Sequence, residues 1–236
     1  MKKFAVFDID GTIFRSSLVL EVVYALIRKG VFPAKATAEF TNELEAWRSR
    51  KDPDSYDAYI EAVVETFGRY IRGVSEDTFK LVSHTVIDEQ KLYTYVYTRD
   101  LVKNLKGQGY TLVAISGSPK ELVEPFTAEH GFDITLSTVY DIRGGVYTGT
   151  RTAMHTGKDA LLKKIVEEHQ LGWHNSIGVG DSRGDIGLLE NVSKPIAFNP
   201  DRDLYKIARQ KNWQIVVERK NVVYKLDPES SGYLLQ

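Results

Sequence analysis

One short stretch near the start of the chain constrains its fold more than any other. Phe4-Ala5-Val6-Phe7 is an apolar, partly β-branched run, and it ends abruptly in Asp8-Ile9-Asp10-Gly11-Thr12. A continuous apolar run of this length reads as a strand buried on both faces, as in a parallel sheet. In extended backbone, residues i and i+2 project to the same side, so Asp8 and Asp10 converge on one point. That point lies beyond the carboxyl end of a strand, where open α/β sheets bind their ligands. Two neighbouring carboxylates repel each other and are costly to desolvate without a cation or a shared proton. A hard divalent cation with oxygen ligands, Mg2+, is the simplest remedy.

A second acidic cluster stands in the same context far downstream. Ser176-Ile177-Gly178-Val179-Gly180 is another short apolar run, and it ends in Asp181-Ser182-Arg183-Gly184-Asp185. The four-residue spacing of Asp181 and Asp185 suits a loop that rolls into a helix start, with both carboxylates at one sheet edge. Between the two clusters, Leu112-Val113-Ala114-Ile115 runs into Ser116-Gly117-Ser118, and a basic site follows at Gly157-Lys158. Carboxylates, hydroxyl, lysine and carboxylates thus follow one another at strand ends or helix starts.

Other chemistries find no support. With 31 basic against 32 acidic residues, net charge −1 and no basic runs, nothing points to a nucleic-acid or membrane surface. The chain has no cysteine, which removes disulfides and thiol nucleophiles and permits a reducing compartment. The apolar run after Met1-Lys2-Lys3 is too short for a signal peptide, and no stretch approaches the ~20 apolar residues of a membrane span. The reading is therefore a soluble, cytoplasmic protein. Gly178 and Gly180 do not complete a dinucleotide-binding G-x-G-x-x-G, and Gly157-Lys158-Asp159 lacks the rest of a P-loop. Ser116 has no nucleophile elbow, and the five histidines have no zinc-ligand spacing.

The remaining pattern sets the architecture. Leu18 to Lys29 carries apolar residues at helical spacing and stops at Gly30. Helices are predicted over Thr37 to Arg50, Tyr56 to Ile71, and from a Ser75 cap to Gln90. No strand interrupts residues 17 to 90. Such a block does not belong to a doubly wound sheet, so it reads as a helical cap, residues 16–91, over a core of residues 1–15 and 92–236. Within the core the pattern predicts a helix over 98–107, a strand over 111–115, a helix over 120–130 and a β-hairpin about Arg143-Gly144-Gly145 (about 136–150). A helix over 158–169, the strand carrying Asp181, a strand over 195–198, a helix over 201–210 and a last strand over 214–217 follow. Residues from about Pro228 read as a frayed tail. The fold class is α/β, a doubly wound, mostly parallel sheet with an inserted all-helical cap.

At Phe7-Asp8-Ile9-Asp10-Gly11-Thr12, Ser116-Gly117-Ser118, Lys158 and Gly180-Asp181-Ser182-Arg183-Gly184-Asp185 the chain resembles, in order, the four motifs of the haloacid dehalogenase-like phosphohydrolases. The helical insertion directly after the first motif is similar to their phosphoserine-phosphatase-like branch. The resemblance implies a phosphatase in which Asp8 attacks phosphorus and Asp10 serves as general acid and base. It implies Mg2+ held by Asp8, the backbone carbonyl of Asp10, Asp181 and Asp185, and phosphoryl oxygens held by Ser116, Gly117 and Lys158. The implied partner is a small organic phosphate. A phosphotransferase or mutase on the same chemistry, or a non-catalytic module on the fold, are the alternatives.

Two positions depart from the phosphoserine enzymes. Ser17 stands where they carry a glutamate nine residues after the nucleophile, with Glu21 one helical turn later, and Ser118 replaces a glycine. Arg15, Ser17 and Glu21 are the candidate substrate-binding residues. The insert is also rich in tyrosine, among them Tyr24, Tyr56 and Tyr59, enough to line an organic pocket.

Overall fold

A computed structural model describes residues 1–50, 52, 54–152, 157–229 and 232–235. The first strand, β1 (Lys2–Phe7), is fourth in a sheet of nine strands among the described residues. Its neighbours are β2 (Thr111–Pro119) and β5 (Leu171–Gly180), both parallel to it. β3 (Ile134–Arg143) extends the sheet beyond β2, and β6 (Lys194–Phe198) and β7 (Gln214–Arg219) extend it beyond β5, all parallel. Antiparallel strands finish both ends: β4 (Val146–Thr152) on β3, and β8 (Val222–Glu229) then β9 (Gly232–Leu235) on β7.

Both faces of the central strands are apolar because both are covered. Ala5 and Phe7 of β1, with Leu112 and Ala114 of β2, pack into one core. Phe4 and Val6, with Val113 and Ile115, point the other way into a second core. This is the two-sided burial that the unbroken apolar runs predict. The second core is closed by α7 (Gly157–Glu168), α8 (Ile186–Glu190) and α9 (Arg202–Gln210). The first is closed by α5 (Val96–Gly107) and α6 (Lys120–Glu129) and by the helical insert.

The insert comprises α1 (Leu18–Arg28), a 3-10 turn over Ala34–Glu39, α2 (Thr41–Ser49), α3 (Ser55–Tyr70) and α4 (Glu76–Gln90). Ser75 caps α4, its hydroxyl accepting from the Thr78 N–H. The helix predicted over 37–50 is broken at Phe40, which is fully buried and packs edge-on against Tyr24. Seating that ring takes Phe40 out of helical backbone (φ −133, ψ 10), and α2 starts afresh behind it.

The C-terminal end also differs from the expectation. Strand β7 is not the last: a turn at Lys220 (φ +54) sends the chain back as β8, in which Leu226 pairs with Ile215. Pro228 lies within β8 and pairs with Tyr233 of β9, so the expected frayed tail is sheet. Ser230, Ser231 and Gln236 of that tail lie outside the described residues, as does His155. Among the described residues, no helix is long and apolar enough to cross a membrane.

Candidate active site

The register brings the motifs together. Phe7 pairs with Ala114 on one side and Val179 on the other, so Asp8 leaves the end of β1 between Ser116, two residues past Ala114 in β2, and Asp181, just past the end of β5. Asp8, Ser116 and Asp181 therefore meet at one edge of the sheet. Carboxylate oxygens of Asp8, Asp181 and Asp185 all lie within 4.8 Å of one another. The Lys158 ammonium, brought in by the first turn of α7, donates to Asp8 Oδ1 at 2.5 Å and Asp185 Oδ1 at 2.6 Å.

Asp185 is completely buried, and its other oxygen holds the loop that carries Asp181. Oδ2 accepts from the backbone N–H groups of Asp181 and Ser182, both at 3.1 Å, and from the Ser182 hydroxyl at 3.2 Å. Glycine at 180 makes this possible. A Cβ there would stand 2.5 Å from Asp185 Cβ and 2.7 Å from Oδ2. Asp201, read from the sequence only as a helix start, secures the loop from outside. Its N–H donates to the Asp181 carbonyl at 2.8 Å, and its carboxylate accepts from the Arg183 N–H at 2.6 Å.

Asp10 takes a different direction from the other three carboxylates. Oδ1 accepts from the Leu18 N–H at 2.6 Å, which caps α1 in place of the Ser17 side chain. Oδ2 accepts from the hydroxyls of Ser116 (2.7 Å) and Ser118 (2.9 Å). The convergence expected of Asp8 and Asp10 is thus replaced by a division: the Asp10 side chain stands outside the acidic triad. Gly11 turns the chain directly after Asp10 at φ +82, where a Cβ would lie 2.1 Å from Asp181 Oδ2, and Thr12 donates to Asp181 Oδ1 at 3.1 Å.

The electrostatics follow from this crowding. Burial above all, with Asp185 and Asp10 pushing the same way against the pull of Lys158, holds the Asp8 carboxyl up at about 7. Burial, with Asp8 and Asp185 alongside, holds Asp181 well above the usual carboxylate range. Burial works against the Lys158 ammonium, yet the charges of Asp185 and Asp8 outweigh it and raise its pKa. Three carboxylates, of which Asp8 and Asp185 are buried and Asp181 half-buried, against one ammonium leave an excess of negative charge. A divalent cation with oxygen ligands fits that donor set.

A cavity of about 510 Å³ opens above Asp10, Gly11 and Asp181. Its far wall is α3, through Tyr56, Ile60 and Val64, and Arg151 of β4 closes one side. Of the candidate substrate residues, Ser17 lines this cavity and the other two are engaged elsewhere. Arg15 donates to Glu218 at 3.3 Å and stacks on Tyr95, and Glu21 accepts from the Ser16 hydroxyl at 2.9 Å. Glu218 is almost fully buried and also accepts from the N–H groups of Val96 and Tyr97, fastening the end of the first-motif loop to α5. Of the tyrosines, Tyr56 faces the cavity, whereas Tyr59 is buried and shares a 2.9 Å hydrogen bond with Tyr24.

Comparison with known proteins agrees with this geometry. The family model for haloacid dehalogenase-like hydrolases matches residues 5–190. A histidinol-phosphatase of Neisseria meningitidis serogroup C is 24% identical over 224 residues, 92% of this chain and 99% of the relative. A phosphoserine phosphatase of Mycobacterium tuberculosis is 24% identical over 217 residues, 89% of this chain and 69% of the relative. The solved structure of a phospho-aspartyl intermediate analogue of phosphoserine phosphatase shares the fold, with a TM-score of 0.61 at 18% identity, covering 93% of this chain and 94% of its own.

Proposed function

We propose that this chain, which belongs to the haloacid dehalogenase-like hydrolases, is a phosphatase of their phosphoserine-phosphatase-like branch and hydrolyses a small organic phosphomonoester through a phosphoaspartate on Asp8. The observation that carries this reading is the triad of Asp8, Asp181 and Asp185, two of them buried and Asp181 half-buried, braced by Lys158, with Ser116 of β2 beside it.

Each residue has a part in two displacements. Asp8 attacks phosphorus, and the bond to the leaving-group oxygen breaks as Asp10 gives that oxygen a proton. Asp10 then takes a proton from water, which attacks the phosphoaspartate and frees inorganic phosphate with Asp8 regenerated. The Ser116 hydroxyl and the Gly117 N–H hold the phosphoryl oxygens, and Lys158 orients Asp8 and offsets charge. Asp8, Asp181 and Asp185, with the Asp10 carbonyl, would hold Mg2+, which supplies neutralising charge to an anionic nucleophile facing an anionic phosphate. The cavity above Asp10 is of a size for a small organic leaving group, in keeping with the histidinol phosphate and phosphoserine enzymes among the relatives.

The test is release of inorganic phosphate, with Mg2+, from a panel including phosphoserine, histidinol phosphate, phosphocholine, sugar phosphates and nucleotides, with Asp8→Asn as control. Turnover by the natural chain and none by a folded Asp8→Asn chain is expected. Substantial turnover by Asp8→Asn removes Asp8 as nucleophile. Phosphoryl transfer to an added alcohol in place of phosphate release moves the reading to a phosphotransferase.

A further inference from the structure

Two serines serve one carboxylate in this site, although one of them has a second task to perform. Ser116 is fully buried, accepts from the Ser118 N–H at 3.0 Å, and donates to Asp10 Oδ2 at 2.7 Å. A hydroxyl carries a single hydrogen and can aim it at only one acceptor. If Ser116 binds a phosphoryl oxygen, as the reading above requires, its hydrogen leaves Asp10 at that moment. Asp10 then keeps the Leu18 N–H on Oδ1 and, on Oδ2, only the donor from Ser118.

Ser118 is built for that purpose. It is 2% exposed, donates to Asp10 Oδ2 at 2.9 Å, and accepts from the Val19 N–H at 3.3 Å. The hydroxyl is thus fixed from behind by the first turn of α1 and in front by Asp10. The same turn caps itself on the other oxygen of Asp10, through the Leu18 N–H. Ser118 and the start of α1 therefore clamp the Asp10 carboxylate at both oxygens, independently of Ser116.

We propose that Ser118 is a positioning residue that holds the Asp10 carboxylate toward the leaving group once the Ser116 hydroxyl has turned to the phosphoryl oxygen. The proposal rests on the phosphatase reading, with Asp10 as proton donor. A misplaced donor harms substrates in proportion to how much their leaving group needs a proton. Phenyl phosphate, which expels a more basic phenolate, is therefore affected more than p-nitrophenyl phosphate. A serine that merely supports the fold has no such preference.

The experiment measures kcat and KM for both aryl phosphates, with Mg2+, for the natural chain and for Ser118→Ala, Ser118→Thr and Asp10→Asn. Thermal unfolding establishes that each variant is folded. Ser118→Ala is expected to lose about tenfold more kcat/KM, which reports the step in which the leaving group departs, on phenyl phosphate than on p-nitrophenyl phosphate, the worth of one hydrogen bond to a charged group. KM should change little, and Ser118→Thr, which keeps a hydroxyl, should recover most of the difference. Equal losses on the two substrates, or no loss on either, overturn the proposal. Asp10→Asn should show the same preference more strongly. If it loses equally on both substrates, Asp10 is not the donor, and the role given to Ser118 falls with it. A natural chain that hydrolyses neither compound nor any member of the panel above refutes the phosphatase reading itself.

Discussion

Replacing Gly180 by alanine tests whether Asp185 is the brace on which the metal-binding geometry depends. The new Cβ would stand 2.5 Å from Asp185 Cβ and 2.6 Å from its Cγ, distances that no rotamer change at the carboxylate end relieves. Asp185 must therefore move as a whole, and with it go its bonds from the Asp181 and Ser182 N–H groups and from Lys158. Overpacking alone costs about 1–3 kcal/mol. Losing even one of these hydrogen bonds to a buried carboxylate adds about 1.5–3 kcal/mol. A loss of about 3–5 kcal/mol of folding stability is expected, which lowers Tm by roughly 10 °C for a chain of this size. Gly178, two residues earlier in the same strand, supplies the control. There a Cβ meets the ends of Val192 and Leu189 at 2.8 and 3.1 Å, a core clash remote from the carboxylates. Gly178→Ala should cost about 1–3 kcal/mol and leave Mg2+ affinity unchanged, whereas Gly180→Ala should weaken it at least about tenfold. Chemical denaturation and Mg2+ titration of both variants give the comparison. A Gly180→Ala chain that binds Mg2+ like the natural protein would refute the assignment of Asp185 as brace.

Metal binding should depend on pH with a definite sign. Burial raises the Asp8 carboxyl from its ordinary 3.8 to about 7, so the metal-free folded chain holds a proton that the unfolded chain has released. Its stability therefore falls as pH rises from about 4 through 7, and Mg2+, which needs the ionised carboxylate, binds about tenfold more tightly per pH unit in that window. The rise in Tm on adding Mg2+ should be larger at pH 8 than at pH 6; equal rises would contradict the environment described for Asp8. Arg15→Ala should lower stability by about 1–2 kcal/mol by leaving Glu218 one donor short, while KM stays within roughly threefold; a large rise in KM would restore Arg15 as a substrate ligand. Lys158→Met should lower kcat by about 10²–10³, as measured by phosphate release in saturating Mg2+.

The parts of the site that the sequence revealed are those fixed by strand ends. An apolar run that stops at a polar residue marks the carboxyl edge of a parallel strand, and three such stops, at Asp8, Ser116 and Asp181, lie on adjacent strands. Their adjacency is set by the strand order, in which β1 lies between β2 and β5. What escaped were side chains whose partners are set by tertiary packing. Nothing in the local pattern distinguishes Glu218 from any solvent-facing strand residue, yet it accepts from Val96, Tyr97 and Arg15. Arg15 looked available for a substrate because its partner lay 203 residues away. Asp201 read as an ordinary helix start, and it is one, capping Leu204, but its second oxygen also holds the Arg183 N–H. Ser118 read as a departure from a family glycine, whereas the structure gives that hydroxyl two partners. The β8 strand was legible in Val222-Val223-Tyr224 but was obscured by Pro228, since proline usually marks the end of pairing.

The way the helical insert is attached decides where the cavity can open. At one end, the turn between α3 and α4 is joined to the β3–β4 hairpin by backbone hydrogen bonds. Gly73 N–H donates to the Tyr147 carbonyl, Tyr147 N–H to Val74, and Glu76 N–H to Gly145. Phe67 on Tyr140 and Phe79 on Tyr147 bury the same junction. At the other end, the first turn of α3 meets the Asp181 loop and α9 through side-chain ion pairs between exposed groups, Asp57 with Arg183 at 3.6 Å and Asp54 with Arg202. Exposed pairs of this kind are worth about 0–1 kcal/mol each, far less than a buried, hydrogen-bonded junction. The wall of the cavity is therefore held firmly where α3 ends and only by weak ion pairs where it begins, beside Tyr56. Substitutions at Asp54 or Asp57 should change how fast small molecules enter and leave, whereas changes at Val74 or Tyr147 should act on folding stability, because only the first pair can be broken without exposing core.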